Sequence, residues 1–341
     1  MEISSQASLR QFNTFGVASY AAHFAEITST EQLKAALEFG DSKNLPIQIL
    51  GGGSNVLFVH DYPGLVIRIA SSGCEEISAD GEIKVAAGEN WHDLVSNCLR
   101  SGLHGFENLA LIPGTVGGAP IQNIGAYGVE IGKFISEVEF LDLETGKIRL
   151  FSREECEFGY RDSIFKNQLS NQIVVLSVSF HLNQSKSPNI NYPSLNAAIE
   201  AKLMKASSGV GVTSELVFDT VCKIRRARLP DPALIGNAGS FFKNPVVSQV
   251  KRDQLRVQFP DLPSFPTSDT ELVKIPAAWL LDQAGWRGRS RGEAAVHKDH
   301  ALVLVNSGEA TGEDILLLAQ EMSQSILDVY GIALETEVRI I

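Results

Sequence analysis

The pattern of this chain predicts an α+β fold, with strands and helices mixed rather than repeating as strand–helix–strand units, on three observations. Short apolar runs of strand length are interspersed with amphipathic helical stretches along all 341 residues. A hairpin is written between Val138–Leu143 and Lys147–Phe151, with Glu144-Thr145-Gly146 as its turn. The first of two glycine-rich segments is succeeded by extended rather than helical sequence, which a regular series of crossover units would not give.

From the N-terminus, Ser29-Thr30-Glu31-Gln32 reads as a capping box, Leu33, Ala36 and Leu37 continue it at helical spacing, and Gly40 closes the helix. Pro46–Leu50 is a strand that delivers Gly51-Gly52-Gly53, and Val56–Val59 resumes extended character. Leu65–Ile69 and Ile83–Ala87 are further strands. A helix starts near Asn90, carries Trp91, Leu94, Val95, Cys98 and Leu99 on one stripe, and ends at Gly102. Ile173–Leu182 is a strong strand. The polar stretch Asn183–Tyr192 marks a domain boundary or insertion around 183–213. Thr311–Tyr330 is a helix with Ile315, Ala319, Met322 and Ile326 in register, terminated by Gly331. Ala333–Ile341 then reads as an alternating strand, with Glu335, Glu337 and Arg339 on one face.

Composition narrows the function. Apolar residues make up 44%, enough for a sizeable core, and a net charge of −11 argues against nucleic acid or an anionic membrane as the main partner. The four cysteines form no Cys-x-x-Cys pattern, so neither a zinc site nor a disulfide framework is expected. No signal peptide and no apolar stretch of the ~18 residues a membrane span needs is present, which predicts a cytoplasmic protein.

The glycine-rich segments carry the first functional signal. Gly51, Gly52, Gly53, Ser54 and Asn55 come just after a strand, where successive N–H groups form either an anion-binding concavity or an ordinary tight turn. The second segment, Pro113–Gly128, interleaves its five glycines with apolar residues, unlike a flexible linker. Neither matches a Walker or dinucleotide fingerprint, yet together they point to a phosphate-bearing cofactor.

Other candidates have competing readings. Arg161, beside Tyr160 in Phe158–Ser163, offers a fork for carboxylate or phosphate, or a surface ion pair with Asp162. Ser240, in Gly236–Pro245, misses the hydrolase elbow because Phe242 stands where glycine is required; it is a hydroxyl proton donor or a turn cap. Lys223, Arg225, Arg226 and Arg228 form one basic cluster, and Arg287, Arg289 and Arg291 another; either receives a diphosphate or is a solvated face. His297 and His300 lack a third ligand, so no metal is expected.

Taken together, Asn13–Gly16, Gly51–Asn55, Gly88–Trp91, Ile112–Gly128, Phe158–Lys166, Gly236–Pro245, Ala294–His297 and Leu334–Arg339 resemble, in one order along nearly the whole chain, the UDP-N-acetylenolpyruvoylglucosamine reductase family. The resemblance implies an FAD-binding domain of the vanillyl-alcohol-oxidase-like type over 14–184, in two subdomains split near 70. It also implies a tyrosine-bearing insertion over 185–212 and a smaller α+β substrate-binding domain over 213–341. The implied activity is that of an oxidoreductase of peptidoglycan synthesis that uses noncovalent FAD with NADPH as co-substrate, acts on a UDP-sugar, and is a monomer. Carried over by position, Arg161, Ser240 and Glu337 are catalytic. Tyr160, Tyr192, Arg228, Asn244 and His300 contact substrate. Gly51, Gly52, Gly53, Ser54, Asn55, Gly114, Thr115, Gly117, Gly118, Asn123, Gly125 and Ala126 hold the cofactor. Two positions depart from the family pattern: Arg228 stands where relatives often have lysine, and His300 where some have glutamine.

Overall fold

The computed structural model describes residues 1–78, 80–182, 188–204 and 211–341, so parts of the expected insertion, 183–187 and 205–210, lie outside the described residues. The chain divides into two compact units, each assembled from three stretches. Met1–Ala7, Ala22–Gly52 and Pro63–Ala227 make the first; Ser8–Ala21, Gly53–Tyr62 and Arg228–Ile341 make the second. Helices and strands are mixed in both, which is the α+β class that the sequence predicts.

The first unit holds most of a four-stranded sheet in the order Ile3–Ser8, Tyr20–Ile27, Tyr62–Ile69, Ile47–Leu50. Its parallel pair sets Ile47 beside Leu65 and Leu50 beside Arg68. The helix Thr30–Ser42 is capped by Ser29, whose hydroxyl accepts from Gln32 N at 3.3 Å. Gln32 reaches back one residue beyond a capping box, to Thr28 N at 2.9 Å. Gly40 does not end this helix: it lies inside it, buried, where an added Cβ would meet Ile47 Cδ1 at 2.8 Å. The glycine there makes room for the neighbouring strand rather than terminating the turn.

A five-stranded antiparallel sheet has the order Ile148–Ser152, Ile135–Asp142, Ile173–His181, Glu82–Ala86, Cys74–Ser78. The expected hairpin pairs Leu141 with Ile148 and Val138 with Phe151; the Asp142 carboxylate accepts the N–H groups of Glu144 and Thr145 to shape its turn. Ile173–His181 is a near-continuous apolar run because it is a central strand buried on both faces. Asn90 caps the helix Trp91–Arg100, whose buried Trp91, Leu94, Val95 and Cys98 face this sheet's core. Trp91, Phe106 and Phe180 pack ring against ring there, and Trp91 Nε1 donates to Leu109 O at 2.9 Å. Leu195 and Ile199 from the helix Pro193–Leu203, and Val217 and Val221 from Ser214–Arg228, join the same core.

The second unit is built on a four-stranded sheet in the order Gly236–Ser240, Val303–Asn306, Ala294–Val296, Ser290–Arg291. The helix Gly312–Tyr330 buries Ile315, Leu318, Ala319, Met322 and Ile326; Thr311 and Asp314 close a full capping box and Gly331, at φ 61°, ends it as predicted. A smaller sheet, Val246–Ser248, Leu272–Lys274 and Phe265–Pro266, carries the helix Gln249–Gln258.

The C-terminal segment differs from expectation. Only Arg339–Ile340 pairs as a strand, in parallel with Val56–Leu57. Residues before it change neighbour: Lys243 N donates to Glu335 O and Glu337 N to Phe241 O, whereas Arg339 N donates to Asn55 O. A segment that hands its hydrogen bonds from one neighbour to another does not stay one straight paired strand, although the expected alternation of burial persists, with Leu334 and Val338 buried between Glu335, Glu337 and Arg339. Glu335 is exposed and paired with Lys243, and Glu337 is half-buried. Among the described residues no helix is long and apolar enough to cross a membrane.

Candidate functional site

In the first unit the two glycine-rich segments meet main chain to main chain. A Cβ on Gly51 would sit 2.6 Å from Thr115 Oγ1, and one on Gly52 would sit 2.8 Å from Gly114 Cα. Only glycine permits that approach. The second segment is moored at its start: Trp91 N donates to Gly114 O, Val116 N to Glu89 O and Gly117 N to Ala87 O. Gly117 and Gly118 lie in the short 3₁₀ turn Val116–Gly118, and Gly125 and Ala126 pair with Glu130 and Val129. The N–H groups of Gly52 and Gly53 take no backbone partner among the described residues, which leaves them as donors for an acceptor-rich ligand such as a phosphate. Asn123 serves this loop from inside. It is 1% exposed, its Nδ2 donates to Gly159 O at 2.8 Å and Glu130 Oε2 at 3.1 Å, and its Oδ1 accepts from Gly132 N.

Arg161 stands in the left-handed region at φ 53° and donates from Nη2 to Gly125 O at 2.7 Å, with its guanidinium 5.6 Å from the Tyr160 ring centroid. It therefore lies against the second glycine segment. Asp162, its expected alternative partner, commits its carboxylate to Ser163 N and Asn167 Nδ2.

Charge alone does not distinguish Arg225 from its basic neighbours Lys223, Arg226 and Arg228. Lys223 and Arg226 are exposed, but Arg225 turns inward: its Nε is buried without a hydrogen-bond partner among the described residues. Burial pushes its pKa down, and it lies in the electrostatic surroundings of Tyr127 and Arg161. Arg225 is half-buried as a whole, and a partly desolvated cation with an unmet N–H favours an anion beside it. The signal was present in the spacing: Val217, Val221 and Arg225 recur every four residues on the face whose first two members are core. Tyr192, 43% exposed, stands at the start of the helix Pro193–Leu203 with its ring 5.4 Å, edge to face, from that of Tyr127.

In the second unit, Ser240 ends the strand Gly236–Ser240. The register slips between Asn237, opposite Val305, and Ser240, opposite Val303. Asn237 builds this irregularity: its Oδ1 accepts Gly239 N and its Nδ2 donates to Ile235 O, with Gly239 at φ 70°. Such a bulge re-aims the next side chain. Phe241 and Phe242, both buried, anchor the chain immediately beyond it. Glu337 N donates to Phe241 O at 2.8 Å, and Asn55 Nδ2 donates to Glu337 O at 3.0 Å. Ser240 and Glu337, 97 residues apart by numbering (337 − 240), are thereby held on neighbouring segments. Gly53 O accepts from Thr14 N, and Ser54 is a half-buried turn residue.

Asn244 Oδ1 accepts Ala277 N at 2.9 Å, at the start of the helix Ala277–Gln283. Arg228 is exposed. His300 is held below the ordinary histidine range by burial first, then by the fields of His297, Arg228 and Arg287. Its Nδ1 accepts from Leu302 N at 3.3 Å, so a neutral ring carries its proton on Nε2 and offers it as a donor. The second arginine cluster is a solvated face: Arg287 pairs with Asp282, Arg291 with Glu321, and Arg289 stacks on Trp286. No group of His, Cys, Asp and Glu able to hold a metal occurs among the described residues.

Comparison with known proteins fits these two regions. Residues 21–152 match the family model of an FAD binding domain, and residues 231–341 match that of the UDP-N-acetylenolpyruvoylglucosamine reductase C-terminal domain. The UDP-N-acetylenolpyruvoylglucosamine reductase of Shewanella sediminis is 44% identical over 343 residues, covering 100% of this chain and 97% of its own. That of Pasteurella multocida is 45% identical over 336 residues, covering 98% and 96%. The crystal structure of the Thermus caldophilus enzyme superposes with a TM-score of 0.66 at 25% identity, covering 99% of this chain and 98% of that one. A solvent-stable cholesterol oxidase shares the fold alone, at a TM-score of 0.51 and 11% identity. An FAD-binding domain, the reductase C-terminal domain and full-length identity of 44% together establish that the chain belongs to the UDP-N-acetylenolpyruvoylglucosamine reductase family of FAD-dependent oxidoreductases.

Proposed function

We propose that this chain reduces UDP-N-acetylenolpyruvoylglucosamine to UDP-N-acetylmuramate with NADPH, through noncovalently bound FAD, as a cytoplasmic monomer of bacterial peptidoglycan synthesis. The observation that carries this reading is the pairing of Glu337 N with Phe241 O, which sets a carboxylate and the hydroxyl of Ser240 on adjacent segments of one unit. Residues 14–184 hold the cofactor, 213–341 bind substrate, and 185–212 bring Tyr192 over the substrate diphosphate.

The unpartnered N–H groups of Gly52 and Gly53, together with the second glycine segment through Gly114, Thr115, Gly117, Gly118, Gly125 and Ala126, fit a diphosphate-bearing cofactor. Ser54 and Asn55 complete the first segment, and Asn123 keeps the second in shape. When bound, FAD supplies hydride to the terminal methylene carbon of the enolpyruvyl ether. The chain's own residues supply the rest. Arg161 binds the substrate carboxylate through its guanidinium fork, and Glu337 acts with it to polarise that group as negative charge spreads from the adjacent carbon. Ser240 gives its hydroxyl proton to that carbon, which completes addition of one hydride and one proton across the double bond; solvent restores the serine. A carbanionic enol is basic enough for so weak an acid. Tyr160, Asn244, Arg228 and the neutral Nε2–H of His300 contact the rest of the substrate, the last two toward its diphosphate.

The test is NADPH oxidation by the purified holoprotein with and without the UDP-linked enolpyruvyl sugar. The rate is expected to depend on the sugar, and the preparation to be yellow. A colourless protein that takes up no FAD would overturn the reading.

A further inference from the structure

The fold places one buried amide where it controls two aromatic rings. Asn108 is 1% exposed, in the 3₁₀ turn Glu107–Leu109 of the first unit. Its Nδ2 donates to Tyr127 O at 3.0 Å and to Asn189 O at 2.9 Å, and its Oδ1 is buried with no partner among the described residues. Both partners are carbonyls, so the amide has one usable orientation: both N–H groups are committed and the carbonyl oxygen is left over. Leaving a buried acceptor unmet is costly, and a position that does so is held for what its donors achieve.

One donor holds the glycine-rich segment at Tyr127, which sits in the left-handed region at φ 48°. The other holds Asn189, three residues before Tyr192. From there the backbone has little freedom: Asn191 N donates to Asn189 Oδ1, and Leu195 N and Asn196 N both donate to Tyr192 O as the helix begins. The Tyr127 and Tyr192 rings meet edge to face between these two anchor points, at an interplanar angle of 83°.

We propose that Asn108 is a positioning residue that sets Tyr192 for substrate capture by tying its segment to the Tyr127 loop; this rests on the assignment of Tyr192 to the substrate diphosphate above. Asn108 spends both N–H groups on main-chain carbonyls of the protein itself. Its loss therefore acts through binding and leaves the chemical step alone.

The holoprotein with Asn108→Ala is compared with wild type in two measurements. Amide exchange at residues 189–196 is expected to rise by about 10-fold, the scale of losing two hydrogen bonds of ordinary net worth. KM for the UDP-linked enolpyruvyl sugar in NADPH oxidation is expected to rise by about 10-fold with kcat changed less than about twofold. In a Tyr192→Ala background the same substitution is expected to move KM by less than about twofold, because the two residues act as one unit. Asn108→Ser keeps one donor and gives a milder test should alanine impair folding, with an expected rise in exchange of about threefold. Unchanged exchange at 189–196, or KM effects that multiply in the double variant, would overturn the proposal. If wild type does not turn over the sugar, the functional reading fails, and the exchange measurement still decides whether Asn108 holds the Tyr192 segment.

Discussion

Replacing Gly52 by alanine tests the meeting of the two glycine-rich segments. The new Cβ would lie 2.8 Å from Gly114 Cα, 3.2 Å from Gly114 C and 3.4 Å from Thr115 N, all main-chain atoms. Carbon atoms pack at roughly 3.5–4.0 Å, so the two backbones must part by something under about 1 Å. Overpacking of this kind costs about 1–3 kcal/mol, offset by about 0.4–1 kcal/mol because alanine restricts the unfolded chain. The net is about 1–2 kcal/mol, or roughly 2–8 °C in Tm for a unit of this size. Displacing Gly52 N–H also weakens its bond to a phosphate; a charge-assisted bond is worth roughly 1.5–3 kcal/mol, so FAD affinity is expected to fall by about 10-fold or more. Thermal unfolding of the apoprotein reads the first effect, and titration of flavin fluorescence quenching the second. Gly118→Ala is the control, because an added Cβ there meets no protein atom within 4 Å. Its apoprotein Tm is expected to stay within about 2 °C of wild type. A Gly52→Ala protein that melts and binds FAD like wild type, or a Gly118→Ala protein that loses as much stability, would refute the packing argument.

Ser240→Ala is expected to leave flavin reduction by NADPH intact and to slow reoxidation by the enolpyruvyl sugar by roughly 10²-fold or more, as stopped-flow absorbance would show; unchanged reoxidation removes Ser240 as the donor. Arg225→Met keeps the stem and removes the charge, so the apoprotein is expected to hold or gain stability while FAD or substrate affinity falls at least about 10-fold; equal affinity would mean that no ligand anion meets this cation. Stability should also respond to pH through His300 and His92. Both are held below the ordinary histidine value, chiefly by burial, and His92 Nδ1 accepts Leu111 N. Between their lowered folded pKa values and about 6.5 the unfolded chain binds more protons, so stability rises with pH across that window and is lost as pH falls through it. Tm measured between about pH 5 and 7 should vary less in the double variant His92→Asn, His300→Gln than in wild type, and an unchanged slope would exclude these two groups.

Local chemistry was the legible part of the sequence. The helix Gly312–Tyr330 was readable because Thr311, Asp314 and Gly331 specify its ends independently of any neighbour, and the 138–151 hairpin because Asp142 through Gly146 shape their own turn. Gly40 misled because a packing glycine and a terminating glycine look alike until the strand beside it is known. Ala333–Ile341 kept its alternation of burial but lost its straightness, since its partners Asn55, Phe241 and Lys243 come from distant stretches. Arg225 is legible in the four-residue spacing that it shares with buried Val217 and Val221. Asn108 was not visible at all: nothing near it in sequence says that Asn189, 81 positions on (189 − 108), will need its second N–H.

The interleaving of the two units along the chain bears on how the protein is made. Thr14 O must receive Asn237 N, Phe15 O closes on Gly236, and Val59 N waits for Ile341 O. On a ribosome adding roughly 5–20 residues per second, the early segment Ser8–Ala21 emerges on the order of 10–40 s before Gly236 and Asn237, which close on it. The first unit has all of its sequence by Ala227 and can condense while that segment waits. The second unit cannot close until Ile341 has emerged to accept from Val59 N. Cutting the chain at any single point between its domains would therefore yield no independently folding second half, and removal of Arg339–Ile341 would leave the Val56–Leu57 strand without its partner.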